Sequence, residues 1–260
     1  MKKISLLIIL SLVSIMLVIS ACGSDDDDNG GITGIPEIDA ESYDWEILII
    51  RVNEMPILRG SYLIYADWLG DYAAISSEDD ISIQFGDQNY DLTGYDYDGS
   101  WVFSTYLELN AGQEYNVILR KNGSSVSTAN VKIPFYADVD FPYHIDPSQA
   151  TRLDWYMDGD NEYQVLSLFS FGEDWDQEDD WERLIPSSSR SYIIPANTVS
   201  DYGPDTEYEL MLVQMNFEKS GRVAYLSSSI AKMTYFDDLP AAKDAQELSK
   251  YVKEMRKYFR

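Results

Sequence analysis

Two side chains on which much enzyme chemistry depends are almost missing from this chain. In 260 residues cysteine occurs once, as Cys22, and histidine once, as His144. One thiol excludes an internal disulfide and the multi-cysteine zinc sites of small extracellular modules. One imidazole, in the proline-flanked stretch Phe141-Pro142-Tyr143-His144-Ile145-Asp146-Pro147, leaves any metal site almost wholly to carboxylates, and it reads as solvated. There is no Gly-x-Ser-x-Gly elbow and no glycine-rich phosphate loop. Positive charge is scarce as well: 19 Lys and Arg stand against 45 Asp and Glu, a net charge of −26. Such a surface repels nucleic acid and anionic headgroups alike.

What is abundant is core material. Hydrophobic residues make up 45% of the chain and aromatics 13%, far above a disordered composition. The body is longer than one sandwich of about 100 residues and suits two. With no disulfide to staple them, these domains must stand on apolar packing.

The start of the chain carries an address. Lys2 and Lys3 precede an apolar run from Ile4 to Ile19, and Ile19-Ser20-Ala21-Cys22 closes it with small residues and the only thiol. The run is short for a bilayer span of about 20 residues, which argues against an uncleaved membrane helix. The layout resembles the lipobox of bacterial lipoproteins, which implies that residues 1–21 are a signal peptide and that Cys22 becomes the acylated N-terminus. Ser24-Asp25-Asp26-Asp27-Asp28 follows at once. Four adjacent carboxylates repel one another and stay solvated, so residues 22–42 form an acidic flexible tether. The run is similar to the surface-export signal of Bacteroidota lipoproteins. That resemblance implies an outer-membrane, lipid-anchored protein on the cell surface.

Residues 43–136 read as seven short strands: Trp45 to Val52, Ser61 to Tyr65, Ile81 to Phe85, Tyr90 to Thr93, Trp101 to Leu109, Tyr115 to Leu119 and Val126 to Ile133. Asn122-Gly123 between the last two is the strongest hairpin signal in the chain. Residues 137–149, with Pro142 and Pro147, read as a linker. Residues 150–236 repeat the plan, with strands at Leu153 and Trp155, Tyr163 to Phe171, Trp181 to Ile185, Ser191 to Ile194, Tyr208 to Val213 and Val223 to Tyr235. Leu109-Asn110-Ala111-Gly112-Gln113-Glu114-Tyr115 resembles the tyrosine corner of immunoglobulin-like and fibronectin type III-like domains, and Gly203-Pro204-Asp205-Thr206-Glu207-Tyr208 stands at the matching place. The resemblance implies two tandem β-sandwiches with Tyr115 and Tyr208 as structural corners, and without paired cysteines the fibronectin branch fits better.

The tail, 237–260, changes period. Ala241, Ala245, Leu248, Val252, Met255 and Phe259 recur at steps of four and three, one apolar stripe on a C-terminal amphipathic helix. Asp237 or Asp238 would cap it. Six basic residues against three acids from Pro240 onward make it a positive segment on a negative body.

For chemistry, the densest cluster is Glu173, Asp174, Trp175, Asp176, Glu178, Asp179, Asp180 and Trp181, read as one loop. Its plain reading is a charged connector with its indoles packed down. The sharper one is a ligand or cation loop, since exposed rings stack on sugars and carboxylates suit calcium; no cofactor is otherwise expected. Asp96-Tyr97-Asp98-Gly99 and Asp158-Gly159-Asp160-Asn161-Glu162 share that chemistry without EF-hand spacing. No residue stands out as catalytic. The expectation is therefore a non-catalytic, surface-anchored binding or assembly module with an extracellular glycan or protein as partner. An accessory protein of polysaccharide uptake, or a carboxylate-based hydrolase, is the alternative.

Overall fold

A computed structural model describes residues 42–52, 61–76, 78–97, 100–172, 178–203 and 206–235. The expectations placed on Cys22, on the tether and on the C-terminal helix lie outside these residues. The described part is mainly β, with fifteen strands and one 3-10 turn at Tyr72–Ala74.

The first half contributes β1 (Trp45–Val52), β2 (Tyr62–Trp68), β3 (Ile81–Phe85), β4 (Gln88–Asp91), β5 (Thr93–Tyr97), β6 (Ser100–Leu107), β7 (Glu114–Lys121) and β8 (Ser124–Lys132). One layer runs β1-β2-β6-β5 and the facing layer β4-β3-β7-β8. Lettered A to G in chain order, these are the ABED and C′CFG sheets of an immunoglobulin-type sandwich. The second half contributes β9 (Asp138–Asp140), β10 (Thr151–Tyr156), β11 (Tyr163–Phe171), β12 (Glu178–Ile185), β13 (Ser191–Ile194), β14 (Glu207–Ser220) and β15 (Val223–Tyr235). Its layers are β12-β11-β14-β15 and β13-β10-β9, which read C′CFG and EBA, the fibronectin-like variant.

The expected picture of two beads on a linker needs correction in two places. Residues 137–149 are not a plain connector: β9 lies inside them and pairs with β10, setting Val139 opposite Trp155, while Ala137 and Ile145 are buried in the second core. The prolines that suggested a linker flank a strand too short to show a period. Nor do the two sandwiches stand apart. β1 of the first pairs in parallel with β15 of the second, from Trp45 opposite Val223 to Val52 opposite Ile230, and the two layers fuse into one eight-stranded sheet, β12-β11-β14-β15-β1-β2-β6-β5. The fusion hides two sheet edges that would otherwise invite pairing with foreign strands. The large sheet ends in β5, five residues long, and in β12, with its acidic start Glu-Asp-Asp.

Register fixes which side chains share a face. Ile47 stands beside Tyr225 on β15, and Leu212 stands between Leu166 and Ala231. Both smaller sheets pack on this inner face. The first core gathers Ile47, Ile49, Ile64 and Phe103 against Ile83, Val117 and Val131. The second gathers Leu166, Leu168, Leu210 and Leu212 against Leu153, Trp155 and Ile194. Strands of the small sheets alternate as one-sided strands should, as β8 does. By contrast β2, β11 and β14 are buried in near-continuous runs, so their outer face is apolar too.

The seam is pinned by polar groups as well. Asn216 Nδ2 and Ser227 Oγ donate to the Lys132 carbonyl at 3.1 and 2.7 Å, tying β14 and β15 to the end of β8. Asn161 accepts from the Phe135 amide at 2.8 Å and donates to the Gln214 side chain at 3.0 Å, which in turn donates to Gln164 at 3.0 Å. The Phe135 ring lies between Gly112 of the first half and Gly159 of the second. A Cβ would come within 2.2 Å of it at the former and 2.4 Å at the latter, so both positions need glycine for this close approach.

Candidate functional site

Tyr115 opens β7 and Tyr208 opens β14 by one residue's offset, the F strand of each sandwich. The Tyr115 hydroxyl accepts from the Asn110 amide at 3.0 Å and donates to the Gln113 side chain at 3.2 Å, so its ring closes the turn it follows. Removing that hydroxyl leaves the Asn110 amide without its acceptor. Tyr115→Phe is expected to cost about 1 kcal/mol of stability, read as a shift in chemical-denaturation midpoint at unchanged slope; no shift would deny the corner a role in the fold. Tyr208 is buried in the second core and differs in its partners. Its hydroxyl meets the side chains of Thr206 and Asp201 rather than a backbone amide, and burial pushes it up to about 12.

The acidic cluster does not form one loop around its indoles. Glu173, Asp174, Trp175 and Asp176 lie outside the described residues, and Glu178, Asp179, Asp180 and Trp181 begin β12 instead. A strand sends alternate side chains to opposite faces. Trp181 packs inward on the second core beside Tyr192, with ring centroids 5.9 Å apart. Asp179 accepts from the Ser200 amide and hydroxyl, both at 2.7 Å, and so closes the loop before β14. Asp180 points the other way, its carboxyl pushed up by burial and by neighbouring Asp179. The strand read from Trp181 to Ile185 extends back to Glu178, a start masked in the sequence by the run of acids.

The carboxylates at 158–162 are already engaged. Asp158 accepts from the Tyr156 hydroxyl at 2.7 Å and Asp160 pairs with Arg190 at 2.6 Å. Glu162 Oε2 accepts from the Phe217 amide at 3.0 Å. Among the described residues no three acidic, histidine or cysteine side chains come together as a metal cage.

Two sites were not legible in the sequence. The first is a cleft where the sandwiches meet, a cavity of about 320 Å³ between the end of β8, the 160–162 turn and the β14 strand. Glu114, Asn130, Lys132, Asp160, Phe217 and Glu218 line it. Lys132 Nζ donates to the Asp160 carbonyl at 3.2 Å and sits 5.2 Å over the Phe135 ring. Its residues come from distant parts of the chain, and no local motif marks them.

The second is a pair of acids on the outer face of the large sheet. Glu46 on β1 stands directly opposite Asp67 on β2. Burial, with Asp67 adding like charge, pushes Glu46 up to about 7. Burial pushes Asp67 up to about 6 against a hydrogen bond from the Trp68 amide. Glu207 on β14 faces the same side and is pushed up to about 7 by burial and then by Glu209. Sequence alone shows only that acids interrupt apolar strands at these places.

No family model matches the chain, and no curated protein does. Among solved structures it is similar to the crystal structure of chicken CNTN1 FN1–FN3 domains, at 12% identity and a TM-score of 0.20, over 65% of this chain and 61% of that one. The chain thus spans about six-tenths of that structure's length. A likeness this loose carries no argument, and the sandwich assignment rests on the strand order.

Proposed function

We propose that this protein is a non-catalytic binding module, held at the outer surface of a cell by a lipid on Cys22, and that the cleft between its sandwiches takes the ligand. The carrying observation is the cleft itself: both sandwiches build it, and the fused sheet holds its two walls in register. Preformed concave sites lined by a few convergent polar groups are the usual form of a binding site. Its amides, carboxylates and ammonium offer both donors and acceptors, a lining suited to the hydroxyls of a glycan.

A hydrolase reading fits less well. General acid catalysis by a carboxyl needs one kept protonated by its surroundings. The three carboxyls that burial pushes to about 6 or 7 all face the far side of the large sheet, away from the cleft.

Two measurements test the proposal. On a glycan array, Asn130→Ala with Glu218→Ala, both exposed positions, should cut the signal by about tenfold, the loss of roughly 1.4 kcal/mol of contact. Binding that ignores the pair, or no binding to any glycan, would remove the cleft or the ligand class respectively. Cys22→Ser should release the protein from the membrane fraction; a variant still anchored and processed would end the lipoprotein reading.

A further inference from the structure

Both small sheets cover the inner face of the eight-stranded sheet, so the outer face ought to meet water. It is not built for that. Ile50 is 2% exposed, Leu63 1%, Val165 0%, Met215 0% and Ile230 0%, and register puts all five on the outer side. No described strand lies over them. Buried polar atoms sit among them without a hydrogen bond: Asp67 Oδ1, Glu207 Oε2 and Ser228 Oγ. An apolar face this well shielded from water has a cover.

We infer that the cover is the chain's own C-terminal segment, residues 236–260, laid across the outer face with its apolar stripe down. Three observations select it. The segment continues directly from β15, which lies in the middle of the sheet, so the face it would cover is within its reach. Its length matches that face. A helix of about 20 residues is about 30 Å long, and the apolar span from β11 to β6 is about 24 Å wide at the usual strand spacing. Its charge is compatible. From Pro240 on it holds six basic residues and three acids, so with its apolar stripe down it adds no net negative charge beside Glu46, Asp67 and Glu207, whose carboxyls hold protons rather than pair with cations. The segment before β1 is a worse candidate, since Asp25 to Asp28, Glu37, Asp39 and Glu41 would bring more negative charge to those acids. The raised carboxyls agree with a covered face, because an acid facing water has no reason to hold its proton near neutral pH.

Cross-linking in the full chain, with Cys22 in place, tests this. Ser228→Cys changes little in volume, and its side chain is fully buried on the outer face. Paired with cysteine at Ala245, Leu248, Val252 or Met255 in turn, it should form an intramolecular disulfide with at least one stripe position. That reaction should be about tenfold or more faster than with cysteine at Lys250 or Lys257 on the opposite side, because docking raises the effective concentration. Equal rates around the segment, a disulfide to Cys22, or disulfide-linked dimers would overturn the inference, the last pointing to a second copy of the chain. Leu248→Glu with Val252→Glu, free of any cysteine change, should lower the melting temperature and raise binding of an apolar dye; an unchanged melt would overturn it independently.

Discussion

Replacing Ile47 by alanine is expected to lower the unfolding free energy by about 2–5 kcal/mol, and to move one melting transition rather than one of two. Ile47 is fully buried in β1, with Tyr225 of β15 on one side and Ala66 of β2 on the other. Its side chain fills the first core, and among the described strands of the first half its strand alone pairs with the second. Truncation leaves a cavity that backbone hydrogen-bonded on both edges relaxes into poorly. At this size the loss amounts to roughly 10 °C in melting temperature. The cooperative part of the expectation follows from the seam. A parallel ladder eight residues long, the Asn216 and Ser227 bonds to Lys132, and Phe135 held between Gly112 and Gly159 join what would otherwise be separate folding units. Calorimetry checks it, since a single unit gives equal calorimetric and van't Hoff enthalpies. Two transitions, with Ile47→Ala shifting only the first-half one, would show that the sandwiches fold independently despite sharing a sheet.

The second large effect is in the pH dependence. Glu46, raised from 4.5 to about 7, and Asp67, raised from 3.8 to about 6, hold protons in the folded state that the unfolded chain releases near pH 4 to 5. Stability from these groups is therefore fully present below their unfolded pKa values, and it is lost as pH rises through the folded ones. The protein should melt at lower temperature at pH 8 than at pH 5. One pKa unit corresponds to about 1.4 kcal/mol, so Glu46 alone sets a ceiling of about 3 kcal/mol. Glu207 adds in the same direction. The many other acids also repel more as pH rises, which is why the comparison needs a variant. Glu46→Gln keeps the shape and removes the charge; it should melt higher than the unsubstituted protein at pH 8 and show a flatter profile between pH 5 and 8. Parallel profiles would mean that the Glu46 carboxyl is solvated, and the outer face with it.

Several strands could be read directly, and for a local reason. Ile81–Phe85 alternates, and Asn122-Gly123 supplies the two positive-φ residues of a tight hairpin, at 52° and 74°. Gly112 before Tyr115, at φ 75°, supplies the left-handed residue the corner turn needs. Where local signals were weak or compound, the reading went astray. Tyr90 to Thr93 read as one strand but is split between β4 and β5, which lie in different layers, because Leu92 turns inward between them. The acids of Glu178 to Asp180 hid the start of β12, since charge on an edge strand looks like charge in a loop.

Composition, period and turn chemistry by themselves determined a mainly β chain, the tight turn before Tyr115 and a hairpin at Asn122-Gly123, because each of these depends on residues within a few positions of one another. The tertiary structure alone decided the rest. It brought β1 to β15 from opposite ends of the described chain, turned two sandwiches into one sheet, built a cleft from Glu114, Asp160 and Glu218, and set Glu46 against Asp67. An apolar run such as Tyr163 to Phe171 announces burial on both faces, but not what lies on either. That choice is made by packing between strands distant in sequence, where no period or local motif carries the information.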